Sequence, residues 1–223
     1  MNNNNNFFNS ITNTYHNWIF GEESVKSCIN SIKSGSCVII VDDEDRENEG
    51  DLIMASQDAT PELIAKFLDL TSGVICVSIT QEKAKLLKLD KMHSNAKDPN
   101  NTAYTTTIDY NVEMTTGISA IERAKTLNAI TKDNNPENYR QPGHVFPLIA
   151  KSNGVLERLG HTEASMDICK MAGKYESGVL AEIVTKDKIS MAKLDELKEI
   201  SKTNDYPLTS IQDIICYRIK YNL

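Results

Sequence analysis

The densest run of reactive side chains is Asp42-Asp43-Glu44-Asp45-Arg46-Glu47-Asn48-Glu49-Gly50-Asp51. So many neighbouring carboxylates repel one another unless an arginine or a cation offsets their charge. Carboxylate oxygens and water suit a hard divalent ion such as Mg²⁺. In an extended segment, Glu47, Glu49 and Asp51 share one side by period-two alternation. An EF-hand is excluded, because the twelfth position counted from Asp43 is Met54 rather than glutamate. Composition alone leaves two readings, a metal site or a solvated acidic loop.

A second cluster is Glu157-Arg158-Leu159-Gly160-His161-Thr162-Glu163. Glycine, a hydroxyl residue and arginine at a helix N-terminus make a phosphate cradle. Free backbone N–H groups and the helix dipole face the anion, and Arg158 can grip it with two hydrogen bonds. His161 can ligate a metal, cap the helix or sit satisfied in the core. In Gln141-Pro142-Gly143-His144 a turn brings His144 to the start of a strand, which equally describes an ordinary surface histidine.

These segments need elements to hold them. Helices are predicted over 22–34, from Thr60-Pro61 to about 70, over 82–88, from the Ser119 cap to about 130, and over 162–172, 191–202 and 210–218. Strands are predicted over 37–41, 51–55, 74–79, 104–109, 145–150 and 178–185. Residues 90–101 and 133–143 read as loops. The order interleaves helices and strands without a repeat, and several connections are too short for crossovers. The expected fold is therefore α/β with α+β character, a mixed β-sheet flanked by helices.

Residues 1–9 begin with an asparagine tract and read as a disordered tail, with one catalytic domain over 10–223. A net charge of −7 with no basic stripe excludes a nucleic-acid partner. No apolar run is long enough to span a membrane, and no signal segment precedes the domain. The five cysteines are scattered without a CxxC pair, as expected of reduced, buried thiols in a cytoplasmic protein.

Six stretches, in one order, resemble the dihydroxybutanone phosphate synthase family. They are VDDEDRENEGD (41–51), TSGVIC (71–76), TTGISA (115–120), PGHVFPL (142–148), GHTEAS (160–165) and GVLAEI (178–183). The resemblance implies that family's fold and its reaction, D-ribulose 5-phosphate to L-3,4-dihydroxy-2-butanone 4-phosphate and formate, in riboflavin biosynthesis. It makes Glu47 and His161 ligands of Mg²⁺, with Mn²⁺ as an alternative and one or two ions bound. Glu49 becomes an outer carboxylate or a ligand of the second ion. Arg46, Glu47, Asp51 and Thr116 become substrate contacts, and Arg158 and Thr162 hold the phosphate. His144, Glu182 and Asp42 become the proton-transfer groups, with Glu182 also on the substrate, while Cys76 lies near the site as an inert thiol.

The resemblance also implies a homodimer with its sites near the subunit interface. Some relatives continue into a GTP cyclohydrolase II domain, and 223 residues are expected to carry one function only. Two positions depart from the family. Gln141 stands where an arginine is usual, with Arg140 one place upstream, and Glu122 replaces the usual aspartate before Arg123. The competing functions are another Mg²⁺-dependent sugar-phosphate isomerase or phosphatase, and a non-catalytic metal-binding homologue.

Overall fold

A computed structural model describes residues 17–92 and 98–223. The expected tail over 1–9, and part of the 90–101 loop, lie outside the described residues. Seven strands form one mixed sheet in the order β4-β5-β3-β6-β2-β1-β7. They are β1 (Val38–Val41), β2 (Gly50–Ala55), β3 (Cys76–Ile79), β4 (Ile108–Tyr110), β5 (Tyr139–Ile149), β6 (Gly178–Glu182) and β7 (Leu208–Ser210). Pairing is antiparallel except for β1 with β7 and β3 with β5. The predicted mixed sheet is what forms.

The helices are α1 (Glu22–Lys33), α2 (Pro61–Leu70), α3 (Gln81–Leu86), α4 (Ala120–Ile130), α5 (His161–Met171), α6 (Leu194–Asn204) and α7 (Ile211–Tyr221). They cover both faces of the sheet, so β1, β2 and β3 are buried throughout, and their sequences are apolar but for Asp51 in β2 and Ser78 in β3. Alternation sorts their side chains into two cores. Ile39, Leu52, Met54 and Val77 pack with residues of α2, α4 and α6. Val38, Ile40, Ile53, Cys76 and Leu180 pack with α1, α5 and α7. All five cysteines are buried. No helix among the described residues is long and apolar enough to cross a membrane.

Caps behave as their chemistry dictates. Thr60 accepts from Leu63 N with Pro61 at the first helical position, and Ser119 accepts from Glu122 N. Three expectations need correction. Residues 133–143 are not a loop throughout, because β5 already begins at Tyr139 and pairs Tyr139 with Tyr110 and Arg140 with Asp109. Its polar first half hides it, and Pro142-Gly143 breaks the pattern. There the ladder shifts register, and a Cβ on Gly143 would lie 2.1 Å from the Ile108 carbonyl carbon. The 104–109 strand shrinks to Ile108–Tyr110, with only isolated bridges at Tyr104 and Thr105. Residues 191–193 precede α6, because Met191 bridges to Val184 before the helix starts. Strand β7 has three residues, too few to show a period.

Candidate active site

Register alone brings several acids to one end and one face of the sheet. Asp51 pairs with Glu182 on β6 and with Ile40 on β1. Ile40 belongs to the core beneath α5, so Asp51, Glu182 and, two residues past Ile40, Asp42 share that face. Cys76 and Leu180, opposite one another, form the apolar floor beside them.

The acidic run after β1 is a turn, so the extended arrangement expected for Glu47 to Asp51 does not form before Gly50. Asp42 is the cause. Its Oδ1 accepts from Glu49 N at 2.9 Å, and its Oδ2 from Glu47 N at 3.0 Å and Arg46 Nη1 at 2.9 Å. Asn48 takes the left-handed conformation (φ 54°) that lets the chain fold back. The turn still delivers Glu47 and Glu49 to the cavity that Asp51 reaches from β2. Arg46 spans the turn to both Asp42 and Glu47.

Opposite the turn, α5 opens at Gly160, where a Cβ would meet Arg158 Nη1 at 2.1 Å, so glycine leaves room for the Arg158–Glu163 pair. His161 is the first residue of that helix. Its Nδ1 lies 3.7 Å from Glu47 Oε2 and 3.9 Å from Asp51 Oδ1. One atom each from Asp42, Glu47 and His161 falls within 4.8 Å of the others. Asp51 Oδ1 and His161 Nε2 are buried without a hydrogen-bond partner among the described residues. Orphaned polar atoms in a low-dielectric site are costly, and ligands at about 2.1 Å from Mg²⁺ lie at most about 4.2 Å apart. The His161 contacts to Glu47 and Asp51 satisfy that limit, so a divalent cation fits here.

The charges of the site are strongly coupled. The His161 imidazole, with Arg46, holds the Glu47 carboxyl down at about 2 against the opposing effect of burial. Burial pushes Asp51 up to about 7, and the Glu182, Glu47 and Glu49 charges add to this. Burial alone would depress His161, but Asp51, Glu47 and Asp42 outweigh it and raise it. Burial also raises Glu49. Such carboxylate crowding around one imidazole is the electrostatic mark of a cation site.

At the other wall, Arg158 is already busy. Nε and Nη2 donate to the Asn100 carbonyl at 3.1 and 3.0 Å, Nη2 also to Thr102 Oγ1 at 3.1 Å, and Nη1 to Glu163 Oε2 at 2.6 Å. Four of the five guanidinium N–H groups are thus engaged, so an anion meets one free donor or displaces the 100–102 backbone. Thr162 lines the same cavity beside it. Ser72 Oγ donates to Glu182 Oε2 at 2.7 Å, fixing that carboxylate from the β3 side. Burial raises the Cys76 thiol well above its usual value, which keeps it inert.

Arg46, Glu47, Glu49, Asp51, Arg158, His161, Thr162 and Glu182 therefore line one cavity. Asp42 stands behind it, as organiser of the turn. His144 and Thr116 do not line it. His144 Nδ1 lies 2.7 Å from Asp109 Oδ2, and His144 N donates to Asp109 Oδ1 at 2.9 Å. Arg140 Nη2 joins Asp109 Oδ2 at 2.9 Å to the Thr116 carbonyl at 2.5 Å. Arg140 thus serves the Thr116 loop, whatever the loss of arginine at 141. Glu122 does not pair with Arg123; it accepts from Thr115 N, Thr115 Oγ1, Gly117 N and Ser119 Oγ at 2.5–3.0 Å.

Sequence reasoning missed Asp109, Asn100, Thr102 and Tyr104. Asp109 is fully buried in β4, which nothing in its sequence neighbourhood signals. The others come from a polar segment with no local pattern.

The chain matches the 3,4-dihydroxy-2-butanone 4-phosphate synthase family over residues 26–217. It is 43% identical to the 3,4-dihydroxy-2-butanone 4-phosphate synthase of Haemophilus influenzae (strain PittEE), covering 91% of this chain and 94% of that protein. It is 45% identical to the riboflavin biosynthesis protein RibBA of Nocardia farcinica over 89% of this chain, and spans about half, 49%, of that relative. A solved 3,4-dihydroxy-2-butanone 4-phosphate synthase in complex with two magnesium ions is similar with a TM-score of 0.84 at 35% identity, covering 89% of this chain and 97% of that one. A carboxylate and imidazole cluster on this sheet, with those relatives, has one reading: the chain belongs to the 3,4-dihydroxy-2-butanone 4-phosphate synthase family, enzymes of riboflavin biosynthesis.

Proposed function

We propose that the chain converts D-ribulose 5-phosphate into L-3,4-dihydroxy-2-butanone 4-phosphate and formate. The observation that carries this is the meeting of Glu47, Asp51 and His161, from two distant segments, in one cavity with Arg158 and Thr162. Glu47 and His161 hold the cation, with Glu49 in the outer shell or on a second ion. Held by these residues, Mg²⁺, or Mn²⁺ in its place, would supply Lewis acidity to the sugar's oxygens. Arg158 and Thr162 hold the phosphate at the start of α5, fixing one end of the sugar while its carbons rearrange. Arg46 and Asp51 contact the hydroxyl-bearing middle. Glu182, oriented by Ser72, moves protons at the reacting carbons, and Asp42 supports it through the turn.

His144 and Thr116 belong to this reading through a second copy of the chain. Both lie off the cavity, and Thr116 is flanked by exposed Ile118 and Ile121, at 51% and 60% exposure. A homodimer that covers these side chains presents the His144–Asp109 pair, as a proton-transfer group, and Thr116 to a neighbouring cavity. Five buried cysteines scattered along the sequence are in keeping with a cytoplasmic setting.

The test is incubation of purified protein with ribulose 5-phosphate and Mg²⁺. One formate per substrate consumed supports the assignment. Release of free phosphate, or of an isomeric pentose phosphate alone, refutes it. A monomeric mass in light scattering refutes the shared-site element.

A further inference from the structure

Asn100 touches both ends of the cavity. Its backbone carbonyl accepts from Arg158 Nε and Nη2, while its side-chain Nδ2 donates to Glu47 Oε1 at 2.7 Å. Glu47 uses its other oxygen, Oε2, toward His161 and Arg46. The two carboxylate oxygens are therefore divided, one toward the cation cluster and one held from behind by an amide. A ligating carboxylate fixed in this way on its far oxygen keeps its near oxygen aimed at the metal.

The loop does not depend on that amide for its own shape. Asp98 Oδ1 accepts from Asn100 N at 3.1 Å, Asp98 Oδ2 from Thr102 N at 2.6 Å, and Asn101 N donates to the Asp98 carbonyl at 3.1 Å. Among the described residues, Glu47 is the one hydrogen-bond partner of the Asn100 side chain.

We propose that Asn100 is a positioning residue for the cation, acting through Glu47 and leaving the anion end to its backbone. This rests on the reading of Glu47 and His161 as metal ligands. It makes a separable claim, because substitution of the side chain removes the amide and keeps the carbonyl that Arg158 uses.

Mn²⁺ binding to the intact protein, followed by electron paramagnetic resonance without substrate, tests it. Asn100→Ala is expected to weaken Mn²⁺ binding by about 10-fold, the lower end of outer-shell effects. Asn100→Asp loses the donor and sets a like charge against Glu47, so it is expected to weaken binding further or to reorient the site. Inorganic phosphate affinity of the Ala variant, measured by calorimetry, is expected to stay at the wild-type value, as is its melting temperature. Equal Mn²⁺ affinity in wild type and Asn100→Ala overturns the proposal while leaving the metal site standing. A parallel loss of phosphate affinity and melting temperature also overturns it, by making Asn100 a general support of the loop. If wild-type protein fails to bind Mn²⁺, the metal-site reading falls and takes this inference with it.

Discussion

The carboxylate cavity and the β4–β5 corner are both rich in charge, yet they are finished to different degrees. In the corner, Asp109 accepts from Arg140 and twice from His144, and Glu122 accepts from four donors around the TTGIS turn. Arg123 Nε is the exception there, buried with no hydrogen-bond partner among the described residues. In the cavity, Asp51 Oδ1 and His161 Nε2 are orphaned and the imidazole stands 3.7–3.9 Å from its carboxylates. Apart from Arg123 Nε, the corner is satisfied by its own chain. The cavity is left open at the atoms a cation and a sugar would complete. Satisfied polar networks stabilise a fold, and unsatisfied ones mark where binding energy is to be gained.

Substitutions separate the two regions by what they damage. Glu47→Gln or His161→Ala is expected to lower kcat by about 10³-fold or more, since a lost Lewis acid costs several kcal/mol. Their melting temperatures should fall little at His161, whose Nε2 has no hydrogen-bond partner among the described residues, and more at Glu47, whose carboxylate accepts from Arg46 and Asn100. Strong destabilisation with modest loss of rate would erase the contrast. Glu182→Ala should reduce kcat by about 10²-fold or more with KM little changed. Arg158→Ala should instead raise KM, by about 10-fold to 100-fold for one charge-assisted contact, with a smaller change in kcat. Steady-state kinetics with the two effects exchanged would reverse these roles.

The smallest effect lies in the corner. Backbone and hydroxyl donors from Thr115, Ser119 and Gly117 hold the Glu122 carboxyl down at about 2, below its ordinary 4.5. A depressed carboxyl contributes stability that is fully present above the unfolded value and is lost as pH falls through the folded one. Glu122→Gln should therefore melt below wild type at pH 7, and the gap should close between about pH 4.5 and pH 2. A gap that stays constant with pH would assign the loss to packing rather than charge.

Much of this was legible beforehand, and the parts that were not share a cause. The mixed sheet followed from apolar runs at β1 and β2 and from cap residues such as Thr60 and Ser119, which act locally. The ligand set came from short motifs whose order resembles a family, not from spacing, because Glu47 and His161 are 114 positions apart in sequence. The start of β5 stayed hidden since Arg140 and Gln141 are polar, and its pairing partner β4 has three residues. The fold-back of the acidic turn depended on one side chain, Asp42, accepting from residues five and seven positions ahead. Asp109 and Asn100 act through contacts across the fold, which no linear pattern encodes.

Asp51 and Glu182 stand side by side on adjacent antiparallel strands. Like charges in that relation oppose the pairing that brings them there. The sheet thus holds a wound spring at its working end. Because burial lifts Asp51 from 3.8 to about 7, the folded chain keeps its proton while the unfolded chain releases it, so stability falls as pH climbs between those values. An Asp51→Asn protein should be the sturdier molecule at neutral pH, and a poor catalyst. Robustness and chemistry here draw on the same two side chains, so a lineage that hardens this edge gives up its trade.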